Sequence, residues 1–182
     1  LNALLPKVEP DLMPALLDTL AKHPQRCLLL LALICAGMLA YGMYLQQVVG
    51  LEPCPMCIVQ RYALIGVGLI ALITALFTQR RVHQVGVLAL VGMAVFGALT
   101  AARQSWLQWY PPEILSCGRD LFGMIESFPL RRVIPMVFRG TGDCSKIDWT
   151  FLGLTIANWS FLVFSGMAVL GVLLFLALLK RR

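Results

Sequence analysis

A chain of 182 residues, 59% of them hydrophobic and 13% charged, has about half the charge of a typical soluble domain and more apolar sequence than a soluble core could hide. Bilayer is its natural solvent, and the length suits a single integral membrane domain over residues 1–182. A formal charge of +6 raises nucleic acid as a partner, but the basic residues sit mostly at the ends of apolar runs, and no RNP-like, helix-turn-helix or zinc-finger pattern is present.

Residues 11–26 form a short amphipathic stretch expected to rest on the membrane surface. The first apolar run, Cys27–Leu45, follows 26 residues of chain, is too long for a signal-peptide core and lacks a small-residue cleavage site. A short loop at about 46–56 leads to the second run, Ile58–Phe77, and the third is Val85–Ala102. A long loop at about 104–158 precedes the fourth, Phe161–Leu179. Each run has about the 20 residues that a helix rising 1.5 Å per residue needs to cross about 30 Å of hydrocarbon. Helix is required there, because backbone groups in lipid must be satisfied within their own segment. The predicted fold is an all-α membrane protein, a bundle of four transmembrane helices.

Lys22, Arg26, Arg80, Arg81, Lys180, Arg181 and Arg182 cluster at one set of span ends, which marks that side as cytoplasmic. Both termini then lie inside and both loops outside. The short loop has no Lys or Arg; the long loop mixes Arg119, Arg131, Arg132, Arg139 and Lys146 with Glu113, Asp120, Glu126, Asp143 and Asp148. Within the long loop, Asp120–Phe128 and Val133–Phe138 set apolar residues among charges and read as segments resting on the headgroups. Trp106, Trp109, Tyr110 and Trp159 read as aromatic belt.

The six cysteines divide by topology. Cys27 and Cys35 fall in the first span, where a thiol behaves as a small hydrophobe. Cys54, Cys57, Cys117 and Cys144 all fall outside, where an oxidising compartment favours pairing. A two-residue spacer closes almost no loop, so Cys54 and Cys57 suit redox exchange better than a structural bridge. Zinc would call for a second close pair, whereas Cys117 and Cys144 stand 27 positions apart and no His lies on that side. A bridge stapling the long loop remains the alternative reading for Cys117 and Cys144.

Pro53 and Pro55 put Cys54 and Cys57 at the start of the second helix, where the positive end of the helix dipole favours thiolate. Arg61 comes four residues after Cys57 on the same face. A charge one turn into a membrane helix either snorkels to the interface or has a task. The task predicted here is to stabilise negative charge beside Cys57, on a thiolate or on a reduced quinone oxygen, with Gln60 adding a hydrogen bond. Repeated oxidation of a thiol pair requires an acceptor for two electrons. With no flavin, dinucleotide, haem or iron–sulfur motif in the chain, elimination leaves a quinone dissolved in the bilayer.

Several motifs in order then carry a resemblance over nearly the whole chain. E-P-C-P-M-C-I-V-Q-R runs from Glu52 to Arg61, L-Q-W-Y-P from Leu107 to Pro111, then comes Cys117, G-D-C from Gly142 to Cys144, and W-T-F-L-G from Trp149 to Gly153, with Trp159 beyond. In this combination and order the sequence resembles the DsbB family of disulfide bond formation proteins. The resemblance implies a bacterial inner-membrane oxidoreductase whose loops face the periplasm. It implies that Cys117 exchanges with the active-site cysteines of a thioredoxin-fold DsbA-like partner, that Cys144 pairs with Cys117 and then exchanges with Cys54, and that Cys57 faces ubiquinone or menaquinone with Arg61 beside it. The net reaction would be partner dithiol plus quinone giving partner disulfide plus quinol. Such partners are strong oxidants at about −120 mV, so their reoxidation needs a stronger one still. Some family members carry a His shortly before the L-Q-x-Y-P segment; this chain has Gln104, and no proton-handling role is carried over to it.

Two other readings compete. A vitamin K epoxide reductase-like enzyme also joins a four-helix bundle, a quinone and cysteine pairs, but there the C-x-x-C usually follows the loop pair, the reverse of the order here. A non-catalytic membrane protein with structural disulfides would leave Arg61 without a task.

Overall fold

The computed structural model describes residue 20, residues 22–110, 145–147 and 149–180. Within them lie four long helices: α1 (Pro24–Gln47), α2 (Pro55–Leu76), α3 (Arg80–Trp109) and α4 (Ile156–Lys180). A small hairpin of β1 (Thr150–Phe151) and β2 (Leu154–Thr155) precedes α4. All four helices are long and apolar enough to cross a membrane. At 22 to 30 residues they reach about 33 to 45 Å. The chain is a multi-pass membrane protein, as its apolar runs predict.

Neighbours in sequence are neighbours in space: α1 packs on α2, α2 on α3, and α3 most extensively on α4. Small residues make the seams, as expected where lipid supplies no hydrophobic drive and close packing must hold helices together. Ala63, Ala71, Ala94, Ala101 and Ala157 are buried to 1% exposure or less. A Cβ at Gly97 would lie 2.5 Å from the Phe164 ring, and one at Gly171 2.6 Å from Val91, so glycine permits the α3–α4 approach. The outward faces stay apolar, with Leu33, Val85 and Leu99 each more than 65% exposed, which is the surface lipid tails require.

The bundle is fastened at one end. Only residues 77–79 separate α2 from α3, and Gln25 Nε2 donates to the Phe77 carbonyl at 3.1 Å. Arg80 donates to the carbonyl oxygens of Leu178 and Leu179, satisfying acceptors that the last turn of α4 leaves open.

The helices begin three to five residues before the expected starts, and two of their ends differ from the sequence reading in ways that matter for the site. The third run was expected to end at Ala102, with Gln104 in the long loop; α3 continues to Trp109. The first was expected to end at Leu45, with Gln46 in the short loop; α1 continues through Gln47. Hydropathy measures where lipid ends, whereas a helix ends where its backbone bonding ends, and polar residues extend it past the apolar core. The amphipathic stretch before Leu20 and the segments Asp120–Phe128 and Val133–Phe138 lie outside the described residues.

The hairpin pairs Thr150 with Thr155 and Phe151 with Leu154. Its turn residues Leu152 and Gly153 have φ of 52° and 78°, the left-handed pair that a two-residue hairpin of right-handed twist demands. Thr155 then caps α4, its Oγ1 accepting from Asn158 N at 3.3 Å and donating to Gln108 Oε1 of α3 at 2.7 Å. Trp159 Nε1 donates to the Phe151 carbonyl at 3.1 Å. The hairpin is thus tied to both helices beside it.

Candidate active site

Pro55 opens α2 with a fixed φ and no N–H to leave unsatisfied. Cys54 is the N-cap residue, its Sγ accepting from Cys57 N at 3.2 Å. That cap turns both thiols to one side, with the two sulfurs 2.8 Å apart. Cys54 is 4% exposed, and Cys57 is half-buried. A dithiol already in this contact needs little backbone movement to become a disulfide.

Polar side chains from two helices meet the sulfurs inside an otherwise apolar bundle. Gln104 on α3 donates from Nε2 to Cys54 Sγ and to Cys57 Sγ, each at 3.3 Å. Gln60 on α2 donates to Gln104 Oε1 at 2.7 Å. Both glutamines are buried, where an unpaired amide would be costly, and each is paired.

Arg61 lies one turn after Cys57 and reaches across to α1. Its NH1 donates to Gln46 Oε1 at 2.5 Å and meets Met43 Sδ at 3.9 Å, while NH2 donates to the Gly42 carbonyl at 3.3 Å. The guanidinium is therefore docked on the last turns of α1. Gln46 receives it only because α1 is still helical at that position.

Sulfurs, glutamines and arginine border a cavity of about 490 Å³. Leu39 and Leu45 of α1, Leu64 of α2, and Val163 and Phe164 of α4 give it apolar walls. The hairpin closes one side with an aromatic row, Phe151 standing 6.0 Å from Trp149 and 6.1 Å from Trp159 between ring centres. Trp159, expected to be a belt residue, borders this cavity as well; Trp106, Trp109 and Tyr110 are exposed.

Of the residues singled out from sequence, Cys54, Cys57, Gln60 and Arg61 all border the one cavity. Cys117 and Cys144 lie outside the described residues. Cys35 is buried against α2, where a Cβ at Gly68 would lie 3.1 Å from its own Cβ; Cys27 is half-buried in the first turn of α1. Sequence reasoning missed Gln46, and it missed any contact of Gln104 with the thiols. A signal for Gln104 was present: Ala94, Gly97, Ala101, Gln104, Ser105 and Gln108 continue one helical face past the point where hydropathy falls.

The family model for "Disulfide bond formation protein DsbB" matches residues 24–174, which include every residue of the cavity. Proteins named Disulfide bond formation protein B are similar over most of the chain. The one from Polaromonas sp. strain JS666 is 60% identical, covering 87% of this chain and 95% of that protein. The one from Albidiferax ferrireducens is 60% identical over 90% and 91%, and the one from Paracidovorax citrulli 63% identical over 80% and 83%. By sequence, fold and relatives alike, the chain belongs to the DsbB family of disulfide bond formation proteins.

Proposed function

We propose that the protein is a quinone-dependent thiol oxidase of the bacterial inner membrane, which reoxidises a periplasmic, thioredoxin-fold DsbA-like dithiol protein. The observation that carries this reading is a close dithiol opening on an apolar cavity within a membrane bundle, with a cation one helical turn away. In this reading the Cys54 end of the bundle faces the periplasm. The end with Lys22, Arg26, Arg80, Arg81 and Lys180 faces the cytoplasm, in keeping with the positive-inside rule.

The residues fit a quinone. A cavity of about 490 Å³ falls within the range of about 300 to 1,000 Å³ common for small-molecule sites, which pair apolar walls with a few placed polar groups. Leu39, Leu64, Val163 and Phe164 would hold the ring and the start of its prenyl tail, while Arg61 and Gln46 would meet its oxygens. A bound quinone supplies the sink, taking two electrons and two protons to become quinol. The protein's own groups do the rest. Cys54 and Cys57 lose two electrons and two protons to form their disulfide, Arg61 stabilises negative charge that develops near Cys57, and the apolar walls keep water from the sulfurs. The family resemblance assigns Cys117 and Cys144 to carry the partner's electrons to Cys54. The net reaction is partner dithiol plus quinone giving partner disulfide plus quinol.

The test is quinone reduction by the purified protein in detergent, supplied with reduced DsbA-like partner, for the wild type and Arg61→Ala. Turnover by the wild type, with a much higher quinone requirement in the variant, is the expected result. A wild type with intact cysteines that reduces no quinone would overturn the reading and leave the cysteines as structural staples.

A further inference from the structure

The Gln104 amide is oriented by its neighbour. Because Gln60 Nε2 donates to Gln104 Oε1 at 2.7 Å, the oxygen of Gln104 is turned toward Gln60 and its NH2 group is the nearer to the sulfurs, 3.3 Å from Cys57 Sγ against 3.8 Å for Oε1, to which the Cys57 thiol can donate. Reversing Gln104 alone would set two NH2 groups against each other. The NH2 group carries two hydrogens and faces two sulfurs, each 3.3 Å from Nε2. At 4% and 5% exposure for Gln104 and Gln60, both amides are shielded from bulk water. A carboxamide also neither gains nor loses a proton at working pH, so it remains a donor whatever the protonation state of the thiols.

We infer that Gln104 is a catalytic residue that stabilises the Cys57 thiolate by direct N–H···S hydrogen bonding, and that Gln60 is the positioning residue that keeps its donor side toward the sulfurs. The inference deepens the thiol-oxidase reading and rests on it for the identity of the attacking group. In the step concerned, an incoming thiolate attacks Cys54 Sγ of the Cys54–Cys57 disulfide. A new S–S bond forms to Cys54 Sγ, the Cys54–Cys57 bond breaks, and its electron pair leaves on Cys57 Sγ as thiolate, with no proton transferred. The charge arrives on the atom that Gln104 Nε2 faces in the dithiol form. Fixed donors aimed at developing charge in a water-poor site act far more strongly than they would in water.

The full-length protein in detergent, reduced with dithiothreitol and desalted without oxygen, tests this through its alkylation by iodoacetamide. The Cys57 peptide is followed by mass spectrometry at pH 5 and at pH 10. Only thiolate reacts, so Gln104→Leu is expected to be alkylated about tenfold more slowly at pH 5, the effect of losing a hydrogen bond to an anion. At pH 10 it should approach the wild-type rate. Gln60→Leu should shift in the same direction by less. A Gln104→Leu rate equal to wild type at pH 5 would overturn the inference, and so would equal slowing at both pH values, which marks altered access instead of lost donation. If Gln104→Leu does not fold, Gln60→Leu carries the test, and wild-type rates at both pH values would then count against the inference. Neither quinone nor protein partner takes part, so failure here is distinct from failure of the turnover assay above.

Discussion

Cys35 and Cys57 both sit within membrane helices of one bundle, yet their surroundings make them different kinds of residue. Cys35 lies mid-helix in α1, 3% exposed, against the helix α2 at Gly68. Its neighbours are apolar, and its sulfur fills space. Cys57 lies in the first turn of α2, with a second sulfur at 2.8 Å and an amide donor at 3.3 Å. Burial does not explain the difference, since Cys54 of the same dithiol, at 4% exposure, is as buried as Cys35. What separates the two is whether polar groups were brought in alongside the sulfur, at positions where each could be satisfied by another.

The contrast can be broken at several points. The largest expected effect is that of Cys57→Ala, which removes one half of the dithiol and should lower partner-dependent turnover by more than about a thousandfold, the scale on which removal of a covalent participant acts; stopped-flow turnover with reduced partner measures it. Cys35→Ser should leave turnover intact but destabilise the bundle by about 1 to 3 kcal/mol, because it sets a hydroxyl among apolar neighbours. Unfolding in a denaturing detergent titration reads that effect, and a loss of turnover in a folded Cys35→Ser protein would erase the distinction between the two cysteines. Gln46→Ala removes an acceptor from Arg61 without touching either thiol. It should raise the quinone requirement by about tenfold, the worth of one hydrogen bond to a charged group, with little change in iodoacetamide reactivity at Cys57. The smallest effect is expected in the hairpin. Leu152 holds a φ of 52° while 77% exposed, a conformation that strains a leucine by about 1 to 2 kcal/mol. Leu152→Asn suits the turn better and should raise stability by about 1 kcal/mol or less, read as a slightly higher Tm.

How far each part was legible follows from what carries its signal. The four helices were visible because lipid demands long apolar runs, and Cys27–Leu45, Ile58–Phe77, Val85–Ala102 and Phe161–Leu179 each lie within or nearly within an observed helix. Cys54, Cys57 and Arg61 were visible because their spacing is local to one helix start. Gln46 and Gln104 were not, because each lies at the polar end of a span, where a hydropathy reading stops while the helix goes on. Their partners, moreover, are on another helix, and no local spacing encodes a contact such as that between Gln104 and Gln60. The hairpin escaped notice for a further reason: with two residues per strand, it is too short for an alternating pattern and is held by Trp159 and Gln108 instead.

The placement of Gln104 also has a consequence for the time at which the site comes into being. The dithiol belongs to α2, the arginine's acceptors to α1, the amide that faces both sulfurs to the far end of α3, and the aromatic wall to the hairpin and the first turn of α4. A nascent chain emerging from the ribosome with only its first two spans inserted therefore has both sulfurs but neither the amide nor the wall. The reactive pair is completed last, once the third and fourth spans have docked, so a half-made protein does not yet possess the site that its second helix begins.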